Sequence, residues 1–132
     1  MVTIDKATFS LLPNEHTKTA YIDAYIDITF TEDDPRPEND AQVYMLIITI
    51  MEEDSPDPDD FISDEAWHIP YPESVPSSIH FVKNFRKFFY SLDRDGWPRG
   101  DDEIYLNVEV TRAGRVIAQA NTEVISYEFK RE

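Results

Sequence analysis

Val43-Tyr44-Met45-Leu46-Ile47-Ile48-Thr49-Ile50-Met51 is the longest apolar run in the chain, and its reading decides the fold. Branching at Cβ restricts χ1 in a helix and suits a pleated surface, so Ile47-Ile48-Thr49-Ile50 argues for a strand. Tyr44, Leu46, Ile48 and Ile50 then share one face, and Val43, Met45, Ile47, Thr49 and Met51 the other. Both sets are largely apolar, which predicts an interior strand covered on two sides. The run is too short for a membrane helix, which needs about 20 apolar residues.

Upstream, residues 19–31 alternate strictly. Ala20, Ile22, Ala24, Ile26, Ile28 and Phe30 line one face, and Tyr21, Asp23, Tyr25, Asp27 and Thr29 the other. This pattern belongs to a strand with one face on a core and one in water. Residues 2–11 read as a first strand whose phase changes midway, the mark of a bulge. Pro13 to His16 form a turn. Residues 32–40 form an acidic, proline-broken loop, short enough to predict that strands 19–31 and 41–52 pair as antiparallel neighbours.

Downstream, residues 52–76 read as a long irregular acidic segment broken by five prolines, with an edge strand near 66–69. Residues 77–92 have a helical spacing: Phe81, Phe85, Phe88 and Leu92 form a stripe, Ile79, Val82 and Phe89 widen it, and Ser77 or Ser78 can cap it. Strand is the alternative for this segment, because Phe, Val and Tyr also suit sheets. Residues 93–102 are turn-rich. Residues 103–112 alternate, with Ile104, Leu106, Val108 and Val110 inward, and Ala113-Gly114 reverses the chain. The return, 115–129, changes phase after Val124 and so predicts a second bulge.

The expected architecture is a single domain, 1–132, mainly β. It is an antiparallel two-sheet β-sandwich, Ig-like in architecture, with one short amphipathic helix. The alternative is an α+β fold with a single antiparallel sheet and one helix packed on a face.

With 27 acids against 12 Lys and Arg, the formal net charge is −15. Such a field repels phosphate, which argues against direct nucleic-acid binding and against anionic membranes, and it attracts a basic protein partner. There is no cysteine, so thiolate chemistry and disulfides are excluded. Met1 to Asp5 lack a basic and apolar leader pattern, and the expectation is a cytoplasmic protein. His16, His68 and His80 are scattered, only three glycines occur, and no phosphate-cradling or nucleophile-elbow motif is present. A non-catalytic role is therefore expected, and homo-oligomerisation is left open.

Three acidic segments, 32–40, 52–65 and 93–103, hold eighteen of the acids. The partner-binding candidates are Glu52, Glu53, Asp54, Asp57, Asp59 and Asp60, with Trp67 and Trp97 as aromatic contacts. Trp67, Tyr71 and Trp97 have the character to stack on sugars or proline-rich peptide. If the segments shared one face they could imitate a nucleic-acid backbone and inhibit a nucleic-acid-binding protein, although 32–40 and 52–65 leave opposite ends of one strand. No cofactor is required; Ca²⁺ is the one left open, with Asp93, Asp95 and Asp102 as ligands around the Gly96 turn. That loop departs from the EF-hand pattern, because Ser91 would sit first and Pro98 interrupts it. On the wet face of 19–31, Asp23 and Asp27 between tyrosines form a ledge that is either a ligand surface or a solvated sheet.

Overall fold

The computed structural model describes residues 1–53, 58–92 and 102–129. Two antiparallel sheets pack as a sandwich. The first contains β1 (Thr3–Asn14), β2 (Thr19–Phe30) and β5 (Ser77–Phe88), in the order β1-β2-β5. The second contains β3 (Tyr44–Glu52), β4 (Asp60–Ile69), β6 (Asp102–Arg112) and β7 (Arg115–Asn121), in the order β4-β3-β6-β7, with β8 (Ile125–Tyr127) also paired to β6. The sandwich expectation is met and the single-sheet alternative is not.

The core forms where the apolar phases of the two sheets meet. Ile22, Ile26, Ile28 and Phe30 of β2, Tyr44, Leu46, Ile48 and Ile50 of β3, and Ile104, Leu106, Val108 and Val110 of β6 are all fully buried. Truncating one of these isoleucines to Ala costs about 2–5 kcal/mol, through lost transfer energy and the cavity left behind. Phe30 meets Tyr44 edge-on, with ring centroids 4.9 Å apart, and ties one sheet to the other.

Four expectations require correction. Segments 19–31 and 41–52 are not hydrogen-bonded neighbours: β2 pairs β1 and β5, whereas β3 pairs β4 and β6. The intervening connection crosses from one sheet to the other, so the two strands face each other across the core. Second, β3 is interior to its sheet but not roofed on both faces. Tyr44, Leu46, Ile48 and Ile50 are buried, while Met45, Ile47, Thr49 and Met51 are only half-buried on the outer face.

Third, residues 77–92 are not a helix. Ser77–Phe88 is β5, and only Phe89–Leu92 (α1) makes a helical turn. The strand's period is spoiled in sequence by Lys83 and Lys87, which share the inward phase with Ile79, Phe81 and Phe85. β5 is an edge strand, where an inward lysine can snorkel and discourage further pairing. Lys83 Nζ sits 4.9 Å from the Trp67 ring centroid and 5.6 Å from that of Phe81. Fourth, much of the supposedly irregular 52–76 segment is β4, the other sheet's edge. Asp60, Asp64 and Glu65 hide its alternation and serve the same blunting role.

The first bulge appears where the phase changes, but the return strand is interrupted between Asn121 and Ile125 instead of bulging after Val124, and its register shift lies opposite Val110 and Thr111. β1 shifts register between Ile4 and Lys6. The return strand breaks at Thr122, which is held to β6 by two 2.9 Å bonds: Leu106 N–H donates to Thr122 Oγ1, and Thr122 N–H donates to the Leu106 carbonyl. Ala113 and Gly114 both take positive φ, 54° and 75°, the left-handed pair a tight hairpin requires.

Candidate functional site

β3 ends at Glu52, and its register places Glu52 beside Asp60 of β4 and Ile104 of β6. Glu53 N–H donates to the Glu103 carbonyl at 2.8 Å. One end of the second sheet therefore collects Glu52, Glu53, Asp59, Asp60, Asp102 and Glu103. Over the whole segments 52–60 and 93–103 the sequence carries eleven acids and two bases, Arg94 and Arg99. No Lys or Arg occurs between Arg36 and Lys83, so β3 and β4 add no cation. We call this the β3–β4 end.

Its members differ in exposure. Glu52 is 1 % exposed and Asp102 3 %, so both are built into the end rather than displayed by it. Glu53 and Asp60 are half-buried, whereas Asp59 and Glu103 are exposed. Tyr105 O–H donates to Asp59 Oδ2 at 2.5 Å. The phenol's pKa is pushed up to about 12, first by burial, then by that hydrogen bond and the negative charges of Asp59 and Glu53. Sequence reading did not single out Tyr105; only the pairing of Met51 with Tyr105 brings it to this end.

The acidic loop 32–40 lies at the opposite end of β3, roughly 30 Å away for nine residues at ~3.3 Å each. Here Asp33 and Asp34 are engaged by the chain itself, whereas Glu32, Glu38 and Asp40 are exposed. Asp34 is 6 % exposed and accepts from Val2 N–H at 2.9 Å, Thr31 N–H at 2.8 Å and Thr31 Oγ1 at 3.1 Å. Asp33 pairs with the amino terminus and accepts from Thr31 Oγ1, which brings its carboxyl down to about 2. Tyr71 O–H donates to the Asp34 carbonyl at 2.5 Å and Tyr44 O–H to the Pro35 carbonyl at 2.9 Å. Asn39 caps the short 3₁₀ turn Asp40–Gln42 by accepting from Ala41 N–H. The described acids of 32–40 and those of 52–60 therefore lie at opposite ends of β3, as expected from the strand between them.

Trp67 is half-buried between the sheets' edges, edge-on to Phe85 at 5.8 Å and beneath Lys83. It packs against the core rather than forming an open platform. Asp54, Asp57, Trp97, Asp93 and Asp95 lie outside the described residues. Of the Ca²⁺ candidates only Asp102 is described, and it is buried in β6. Among the described residues, no group of three or more His, Asp or Glu side chains is arranged to hold a metal ion. Among them, too, no helix is long and apolar enough to cross a membrane.

No protein-family model matches the chain, and no curated protein matches it. Among solved structures, it superposes on part of a Bacteroides fragilis protein assigned as a β-galactosidase, with a TM-score of 0.63 and 9% identity. That match covers 96% of this chain and 17% of the other. A β-glucosidase of Kluyveromyces marxianus in complex with glucose is a looser likeness, with a TM-score of 0.39, 10% identity, and coverage of 96% and 14%. The fold thus resembles a β-sandwich domain of glycoside hydrolases, and the chain spans only a small part of the enzymes it resembles.

Proposed function

We propose that this chain is a non-catalytic binding module that engages a basic protein partner through its β3–β4 end. The supporting observation is the charge gathered there among the described residues: Glu52, Glu53, Asp59, Asp60, Asp102 and Glu103, with no Lys or Arg in β3 or β4. Glu53, Asp59, Asp60 and Glu103 are the groups placed to meet a partner, with Glu52 and Asp102 holding the end together. A complementary field steers encounter and fixes partner choice more than it adds raw affinity.

The test is a binding titration with a lysine-rich peptide over a range of NaCl concentrations. Affinity falls steeply as salt rises, because exposed charges farther apart than a Debye length, ~8 Å at physiological ionic strength, are screened. Affinity indifferent to salt overturns the proposal.

A further inference from the structure

Tyr21-Ile22-Asp23-Ala24 and Tyr25-Ile26-Asp27-Ile28 repeat one pattern four residues apart. In β2 this sends both tyrosines and both aspartates to the outer face, while Ile22, Ala24, Ile26 and Ile28 are fully buried beneath them. β2 is the middle strand of its sheet, so each outward residue gains a neighbour on either side. On the β5 side, Tyr21 lies beside Arg86, Asp23 beside Asn84, Tyr25 beside Val82 and Asp27 beside His80.

The result is two copies of one arrangement, an aromatic ring followed by a fixed carboxylate. Asn84 Nδ2 donates to Asp23 Oδ1 at 2.6 Å, and His80 Nδ1 bonds Asp27 Oδ1. Each carboxylate is held through one oxygen by a cross-strand partner, and among the described residues the second oxygen stays available as an acceptor. The two tyrosines stand roughly 13 Å apart, four residues at ~3.3 Å each. The platform continues past Tyr21. Phe88 faces Thr19 in the register, and its ring stacks on Tyr90 with centroids 5.3 Å apart and planes 11° apart. Tyr21 is 48 % exposed, Phe88 51 % and Tyr90 61 %, so these rings are open to solvent on one side of the molecule.

Charge selects the ligand class. In a chain of net charge −15, this face sets Arg86 and Lys6 against Asp23 and Asp27. Asp5 is engaged by Thr3 and Thr29. A near-neutral face offers little to a cationic peptide and nothing to a polyanion. Open aromatic faces alternating with fixed acceptors and donors suit a ligand with apolar C–H faces and hydroxyl edges, and a repeated arrangement suits a repeating ligand. We infer that the outer face of the first sheet binds a neutral oligosaccharide, with Tyr21/Asp23/Asn84 as the more open subsite and Tyr25/Asp27/His80, whose tyrosine ring is half-buried, as a second. Two weak subsites on one polymer act together, which offsets the shallowness of a flat site. The inference concerns a different surface from the β3–β4 end and stands on this face alone, not on the likeness to sugar-cleaving enzymes.

The experiment uses the full chain on native gels cast with neutral soluble polysaccharides: hydroxyethylcellulose, xylan, galactomannan and a β-1,3-glucan. Calorimetry follows, with oligosaccharides of whichever polymer retards migration. At least one polymer slows the protein. Tyr21→Ala weakens binding tenfold or more at an unchanged melting temperature, because the ring is exposed, and Asp23→Asn gives an independent loss. Added salt and neutralisation of Glu53, Asp59 and Asp60 leave this binding unchanged. No retardation by any of the four polymers overturns the inference. So does retardation that Tyr21→Ala and Tyr25→Ala both leave intact, or binding that disappears with salt or with the β3–β4 acids.

Discussion

The two ends of β3 are both acidic, and the chain treats them in opposite ways. At the 32–40 end, Asp34 is enclosed and accepts three hydrogen bonds, so its charge helps to fold a connection that must cross between sheets. At the β3–β4 end, carboxylates crowd together by strand register, beside a phenol raised first by burial and then by its hydrogen bond to Asp59 and the nearby charges. Charge balance alone cannot tell a structural carboxylate from one available to a partner; the local supply of N–H donors and cations can.

The largest expected effect that would sharpen this contrast lies at the first end. Asp34→Ala strands buried donors at Val2 and Thr31 and should destabilise the fold by about 3 kcal/mol in urea denaturation. Tyr44→Phe should cost about 1 kcal/mol, because it removes one hydrogen bond to the Pro35 carbonyl and leaves the ring packing intact. At the other end, Asp60→Asn with Glu103→Gln should change stability by no more than about 0.5 kcal/mol, in the stabilising direction if at all, because like-charge repulsion is relieved. A loss comparable to that of Asp34→Ala would break the contrast.

Titration gives the smallest effects, with opposite signs at the two ends. Asp33 has a folded pKa of about 2, below its ordinary value, so its pairing stabilises the fold above that ordinary value. That contribution fades as pH falls towards about 2. Tyr105 has a folded pKa of about 12, above its ordinary 10, so its protonated form stabilises the fold below pH 10. That contribution is lost as pH rises through about 12. Spectrophotometric titration of Asp59→Asn should bring the Tyr105 midpoint down towards its ordinary value, whereas Glu32→Gln at the far end should leave it in place.

The strands that alternate cleanly were legible from their residues: β2, β3, β6 and the Ala113-Gly114 hairpin follow from period two and from glycine's tolerance of positive φ. The edge strands were not. Lys83 and Lys87 in β5, and Asp60, Asp64 and Glu65 in β4, are charges that keep an edge from pairing further, and they erase the pattern by which a strand is recognised. Sheet membership was also hidden. The acidic connection after Phe30 reads as a hairpin loop, and only the enclosure of Asp34 and the Tyr44 and Tyr71 hydroxyl bonds show that it bridges the sheets. The acids of segment 52–60 were visible, but that they meet Asp102 and Glu103 follows from a pairing no local signal encodes.

The most direct test compares two variants of equal net charge. One neutralises Glu53, Asp59 and Asp60; the other neutralises Glu32, Glu38 and Asp40. The account predicts that affinity for a lysine-rich peptide at physiological salt falls much further in the first than in the second, with both proteins folded. Equal losses in the two variants would mean that only total charge matters, and would contradict the assignment of the β3–β4 end.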